Sequence, residues 1–549
     1  MRAKISFIIL FLCFKVLFPL DLCGVKTEIN DYMDKSPIKF KIEMPEFHDK
    51  EYDIRDFGAS QSLDMLNTDA IQKAIDECSN NGGGRVIIPP GYWLTGPIEI
   101  KSDVNLHLER GAILAFTEDH TEYSLIKLPE SHVYANASPI YAINAENIAI
   151  TGEGIIDGNG DSWRPVKRYK LTSSQWNKLV SRGGVVDRTG DIWWPNKDAL
   201  ESMRYFASVG EKDLKKEDYL KMKEFLRPYM VYIVNCDRVM IDGVILQNSP
   251  SFALHVMRSK NIIVRNVKVT NEWWFQNADG LDFSSCRNVI VYKNFVNTGD
   301  DAICLKSGKT KHFPKNALPT KNVLVVDNVI YHGHGGFVIG SNTSGGIRNV
   351  YVANNLMTWT DTGLRFKSGR DRGGKVENII IENIRMREIQ REAVIFNMYY
   401  EDDTSTGLRE KIKKRLYPEF KNIIFKDIIC DGAERAVYIK DQEENFIHNI
   451  QFNNLEIKAR EGLIAHNTKD IKFQSCRFYI EESPLFYLRN CKNIEIDSIS
   501  SGNSLDTFLY LEGELTKSIE VGEFEHNIFK NKYRVGDGAK LSEIIKMEE

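Results

Sequence analysis

Asn261-Ile-Ile-Val264, Asn288-Val-Ile-Val291, Asn322-Val-Leu-Val325 and Asn349-Val-Tyr-Val352 are four copies of one short phrase. Each opens on asparagine and continues through apolar, mostly β-branched residues. The phrase first appears at Asn147-Ile-Ala-Ile150. It recurs at Asn378-Ile-Ile-Ile381, Asn422-Ile-Ile-Phe425, Asn449-Ile-Gln-Phe452, Asp470-Ile-Lys-Phe473 and Asn493-Ile-Glu-Ile496. Most steps between copies are 21 to 34 residues. One strand set per period of this length signals a solenoid. Short β-branched runs argue against helical repeats, and the recurring leucines of a leucine-rich repeat are absent. The reading is all-β: a right-handed parallel β-helix whose stacked asparagines form hydrogen-bonded ladders at the bends.

Outward from the repeat, the chain divides unevenly. Arg2, Lys4 and the apolar run from Ile5 to Leu20 read as a signal peptide over residues 1–24, too short and interrupted for a membrane span. The chain is therefore expected to be exported, periplasmic or extracellular, with lipid anchoring at Cys23 as the alternative to simple cleavage. A polar lead (25–49) precedes one β-helix domain (50–535) and a C-terminal tail (536–549). Within that domain, Ala70, Ile71, Ala74, Ile75 and Cys78 share one helical face, capped by Asn67 or Thr68 and stopped by Gly82 to Gly84. That helix covers the first coil and protects the sheet end. Two stretches break the period: a charged, tryptophan-rich insertion over about 162–223 with helices such as 215–225, and a second over 399–414. Trp163, Trp193 and Trp194 read as packing of the first insertion ahead of sugar platforms.

Composition narrows the function class. The chain has 549 residues, 27% charged and 42% hydrophobic, which is a folded type. A formal net charge of −4 offers no basic stripe for nucleic acid, though a local cationic pocket is still allowed. Seven cysteines follow Cys23 with no CxxC pair, which argues against zinc and against a dense disulfide framework.

Four stretches carry chemistry: Asn277-Ala-Asp-Gly280, Gly299-Asp-Asp301, Gly333-His-Gly335 and Arg365-Phe-Lys367. Aligning strands on a closing serine (Ser285, Ser307, Ser341, Ser368) sets Asp279 beside Asp301 and Asp300 beside His334. Lys306 and Lys367 then share a phase, and Arg365 shares their face. Neighbouring strands are about 4.8 Å apart, so these residues form one patch roughly 15 Å long. Asp300 and Asp301 are consecutive and would point to opposite faces of a regular strand. Both reach the patch only if the chain bends, which Gly299 permits. Three crowded carboxylates cannot all ionise normally, giving a protonated acid beside an ionised base. With two cations for a carboxylate, the patch suits cleavage of an acidic sugar.

These ordered motifs resemble the polygalacturonase family of glycoside hydrolases, family 28, over Tyr52 to about Asn493, and particularly its bacterial exo-acting members. Ala278 and Phe366 depart from the motifs without removing a reacting group. The resemblance implies a pectin-lyase-like solenoid and metal-independent, inverting hydrolysis of α-galacturonosidic bonds in pectic polysaccharides or oligosaccharides. No cofactor is implied. Asp300 would be the general acid, Asp279 and Asp301 would activate water, and His334 would assist. Arg365 and Lys367 would hold the substrate carboxylate, with Asn277, Lys306 and Tyr399 or Tyr400 as further substrate contacts. Asn342 stands where similar chains often carry Glu. The first insertion, with a rim loop over 309–320, would close one end of the groove and favour exo action. The alternatives are a rhamnogalacturonan-directed galacturonidase, a calcium-dependent pectate lyase and a non-catalytic carbohydrate-binding β-helix.

Overall fold

The computed structural model describes residues 22–62, 65–129, 133–210, 214–308, 317–369, 372–400, 416–442 and 446–546. Residues 1–21 and the side chain of Cys23 fall outside these, and so do the signal and lipidation expectations. Most of the second insertion and the rim loop lie outside them as well. No helix among the described residues is long and apolar enough to cross a membrane.

Among the described residues, thirty-six strands join one sheet that winds as a right-handed parallel β-helix. The row that matters here comprises β1 (Leu254–Met257), β2 (Leu281–Ser284), β3 (Asp301–Lys306), β4 (Gly335–Ile339) and β5 (Leu364–Lys367). Each pairs in parallel with the next, with Leu281 opposite Ile303, Ile303 opposite Phe337 and Phe337 opposite Leu364. This is the register that the closing serines predict.

The repeat phrase has a backbone cause. All ten Asn or Asp residues that open it sit in the left-handed region, with φ between +53° and +59°. Asn and Asp tolerate that conformation better than other side-chain-bearing residues. The bend also aims each amide at the coil before it. Asn288 Nδ2 donates to Asn261 Oδ1 at 3.0 Å, Asn322 to Asn288 at 3.0 Å, and Asn349 to Asn322 at 3.2 Å. A second ladder, Asn294 to Asn328 to Asn355, is buried and bonds at 2.9 and 3.0 Å.

Inside the coils the apolar residues of successive turns stack. Phe366 lies on Phe396 with ring centroids 4.4 Å apart, and Phe425, Phe452 and Phe473 form a second stack of parallel rings, edge-on to the first. Phe366 thus fills the interior directly beneath Arg365 and Lys367. Truncating such a ring to Ala costs about 3–5 kcal/mol, so the clamp rests on a rigid floor.

The cap helix runs Thr68–Asn80 and buries all five expected residues. Its expected side-chain cap does not form. Asn67 Oδ1 instead accepts from Ser60 N, and its amide donates to Leu94 O, tying the helix start to the first coils. The first insertion folds into helices Ser173–Ser181, Lys197–Val209 and Lys216–Lys221 around a small antiparallel sheet. Trp163, Trp176, Trp193 and Trp194 are buried there, as packing requires.

The lead is more structured than a polar linker. The chain forms two compact units, Met1–Lys39 and Phe40–Glu549. The first contains the helix Leu22–Lys35, and the second begins about ten residues before the expected boundary of 50. The tail also departs from expectation: Ile544–Lys546 adds a strand parallel to Lys517–Val521. All seven described cysteines are buried and unpaired, behaving as small hydrophobes.

Candidate active site

The strand β3 begins at Asp301, and Asp300 lies in the bend before it. The bend needs glycine at position 299: a Cβ there would lie 2.3 Å from Phe275 O and 2.8 Å from Glu272 O. The Asp301 N–H donates to Asp300 Oδ1 at 3.0 Å and fixes the turn. The two consecutive aspartates therefore face one side. Oxygens of Asp279, Asp300 and Asp301 all lie within 4.8 Å of one another.

Each acid has a different companion. Asp301 is paired with Lys367 Nζ at 2.6 Å and Arg365 Nη1 at 3.3 Å. Asp300 Oδ1 lies 3.2 Å from His334 Nδ1. Asp279 lies 3.1 Å from Lys306 Nζ. The side chain of Asp300 is 17% exposed, whereas those of Asp279 and Asp301 are 6% and 2% exposed. Asp300 is thus the acid that meets the groove.

These surroundings pull the three carboxyls apart. Burial pushes Asp279 well above the usual carboxylate range; Lys306 opposes this and Asp282, Asp300 and Asp301 add to it. Burial also pushes Asp301 up, but Lys367 and Arg365 outweigh it and hold Asp301 down. Asp300 is likewise pushed up by burial, then brought below the usual range by the His334 hydrogen bond and charge. Of the three, Asp279 is the carboxyl whose surroundings most favour the protonated form.

The remaining expected residues separate into those that join the acids and those that do not. Tyr400 joins them: Lys367 Nζ is 4.8 Å and Arg365 Cζ 5.8 Å from its ring centroid. Tyr399 instead carries Lys440 at 5.0 Å. Lys306 is a correction to the expected substrate contact. It is turned inward between Asp279 and Asp282 and sits over the Phe252 ring, so it neutralises buried acids. Asn277 accepts from Arg227 Nη2 at 2.7 Å. Asn342 accepts from Arg372.

Sequence reading missed five contributors. Asp282 is fully buried beside Lys306, its carboxyl pushed up to about 6 by burial. It stands in register with Cys304, Val338 and Arg365, so no like residue on the next coils announced it. Arg227 and Lys170 arrive from or beside the insertion, where no repeat phase exists. Arg227 also donates to Gln276 O at 2.7 Å and holds the loop that carries Asn277. Trp273 and Trp359 are exposed aromatics in a pocket that also includes His334.

Could the acid cluster hold a metal? Three carboxylate oxygens at this spacing are a donor set for a divalent cation. Lys306, Lys367 and Arg365 already lie against two of those acids, and their charge would compete with an added cation.

The sequence model of glycosyl hydrolases family 28 matches residues 166–477, more than half of the chain and all of this site. The protein belongs to that family. As a family 28 member it is a glycoside hydrolase. It is 28% identical over 449 residues to the exo-poly-alpha-D-galacturonosidase of Dickeya chrysanthemi, covering 78% of this chain and 71% of that protein. Its fold is similar to that of the hyperthermoactive exopolygalacturonase from Thermotoga maritima, with a TM-score of 0.68, 27% identity, and 82% and 96% of the two chains covered. The family 28 exopolygalacturonase of Yersinia enterocolitica shares the fold at a TM-score of 0.66 and 24% identity, covering 81% of this chain and 78% of that one.

Proposed function

We propose that this glycoside hydrolase cleaves α-linked galacturonan chains from an end, with inversion, after export from the cell that makes it. The observation that carries the chemistry is the convergence of Asp279, Asp300 and Asp301 beside Arg365 and Lys367. The exo-acting relatives from Dickeya and Thermotoga support the substrate and the mode.

In this reading Arg365 and Lys367 bind the carboxylate of one uronate. Asp300, facing the groove, gives its proton to the glycosidic oxygen as the bond to the anomeric carbon breaks. Asp301, ionised, takes a proton from the attacking water, and Asp279 helps to orient that water. The substrate carboxylate adds negative charge beside Asp300 and offsets the cations near it. That raises the proton affinity of Asp300 and draws a proton across from Asp279. His334 sets how far it travels.

Inverting glycosidases commonly separate their two carboxyls by about 6.5–9.5 Å and retaining ones by about 5–5.5 Å. The 4.8 Å limit here concerns nearest oxygens of three acids. Two oxygens that far apart can each accept from one water at about 2.8 Å, so a water fits between them. Inversion therefore rests on the family likeness and is checked by the anomer first released, read by proton NMR.

The decisive experiment is a time course on de-esterified galacturonan. End-wise action yields one small product from the first minutes while viscosity falls slowly. Long oligomers at early times would overturn the exo reading, and no reducing-end release would overturn the substrate. Export is tested by whether the protein made in its own cells lacks residues 1–24.

A further inference from the structure

The insertion delivers a cation to the mouth of the site. A pocket of about 460 Å³ opens beside His334, lined also by Tyr169, Lys170, Trp273, Trp359 and Asp361. Gly299 and Gly333, which flank Asp300 and His334 in the chain, line it too, so it adjoins the acids. Arg365 and Lys367 are not among its lining residues. Whatever it holds is a different unit from the one at the Arg365–Lys367 clamp.

Lys170 is 7% exposed. It feels the charges of Asp300 and Asp361, yet among the described residues it forms no ion pair and no hydrogen bond through its ammonium group. Burying an ammonium without a partner is costly. A purely structural position would favour an apolar side chain or a paired one. Trp273 and Trp359 are 47% and 46% exposed on the wall of the same pocket. Trp359 holds φ at +59° and neighbouring His332 holds +68°, conformations that cost a bulky side chain on the order of 1 kcal/mol or more. Two strained residues, two exposed indoles and an unpartnered buried cation thus share one small cavity. Aromatic faces with a few placed polar groups are the usual lining of a sugar subsite.

We propose that Lys170 binds the carboxylate of a second uronic-acid unit, which packs on Trp273 and Trp359, so that the scissile bond lies between two separately clamped anions. The inference rests on the galacturonan reading above and deepens it. Asp361 also faces this pocket, with His334 Nε2 3.8 Å away. It sets Lys170 apart from a general anion trap, because a ligand must place its carboxylate away from Asp361.

The test uses the full-length protein and trigalacturonate. Lys170→Met is expected to lower kcat/KM by about 10- to 100-fold, the worth of one charged hydrogen bond, mostly through KM. Lys170→Arg keeps most of the activity. Reducing the uronate carboxyls of the substrate to alcohols penalises the wild type more than Lys170→Met. A Lys170→Met enzyme within twofold of wild type, or Arg and Met variants equally impaired, overturns the proposal. Should Lys170→Met fail to fold, Trp359→Ala at its exposed position must raise KM with kcat held, and an unchanged KM overturns it instead. A wild type that neither binds nor cleaves trigalacturonate strikes the galacturonan reading itself. One that cleaves it while the variants behave as wild type strikes only the Lys170 subsite.

Discussion

Lys367 Nζ sits 2.6 Å from Asp301 Oδ2, and the two side chains are only 5% and 2% exposed. The residue assigned to hold substrate therefore also keeps the base ionised. Lys367→Met separates these roles. It leaves Asp301 buried with only Arg365 at 3.3 Å, and breaking such a pair costs about 3–5 kcal/mol. Asp301 is held down in the folded protein, so it contributes stability above its unfolded pKa that is lost as pH falls through the folded value. The variant lacks that contribution, so the gap to wild type should narrow at low pH. The acid limb of kcat/KM should move to higher pH. Thermal melts and rates from pH 3 to 7 check both, and an unmoved limb would contradict the role given to Asp301.

His334 is predicted to set the proton on Asp300. Their nitrogen and oxygen lie 3.2 Å apart, and that contact opposes the upward push of burial. His334→Ala should let Asp300 rise past the range in which it gives up its proton readily and slow the reaction by about 10²-fold, within the range of lost acid–base assistance. Asp300→Asn should remove more than about 10³-fold while trigalacturonate still binds, since an amide cannot donate that proton. Carboxyl carbon NMR of wild type and His334→Ala reads the titration directly, with Asp300→Asn identifying the resonance by its loss. An Asp300→Asn enzyme that keeps its rate would remove Asp300 from the mechanism.

The sequence made the repeat legible because its cause is local. Each coil needs one residue that tolerates positive φ, and asparagine, or aspartate at Asp470, fills that place in the ten copies from Asn147 to Asn493. The acids were legible for the same reason, since phase sets Asp279 beside Asp301 and Asp300 beside His334. What phase cannot show is which way a long side chain turns. Lys306 shares the phase of Lys367 yet points to Asp279 and Asp282. Residues brought in by the insertion have no phase at all, so Lys170 and Arg227 emerged only from the fold. The exposed indoles went unremarked for a related reason. The indoles inside the insertion pack it as expected, while Trp273 lies in a turn and Trp359 on a coil strand, where their exposure depends on neighbours far away in sequence.

Asp282 should leave a mark on stability. Its carboxyl titrates near 6 in the fold against an unfolded value of 3.8. Between those values the folded form keeps a proton that the unfolded chain has lost, so stability falls as pH rises through the window. The size is at most about 3 kcal/mol at 1.36 kcal/mol per pH unit. Asp282→Asn cannot lose a proton and should flatten that slope. Urea midpoints of both proteins at pH 4, 5, 6 and 7 measure it. Parallel slopes would remove Asp282 and leave Asp279 as the carboxyl of raised proton affinity.

Chelation separates hydrolysis from the calcium-dependent lyase that this architecture also supports. The acids here face Lys306, Lys367 and Arg365. A divalent ion would have to displace those cations, at the cost of unpairing buried charges. The expected outcome is that millimolar EDTA leaves the rate on galacturonan unchanged and that added calcium does not raise it. The products should absorb no light at the wavelength of a 4,5-unsaturated uronate. Hydrolysis adds water across the bond and leaves both rings saturated, whereas elimination must create that double bond. A rate abolished by EDTA and restored by calcium, with rising ultraviolet absorbance, would make Asp279, Asp300 and Asp301 metal ligands and return the chemistry to proton abstraction.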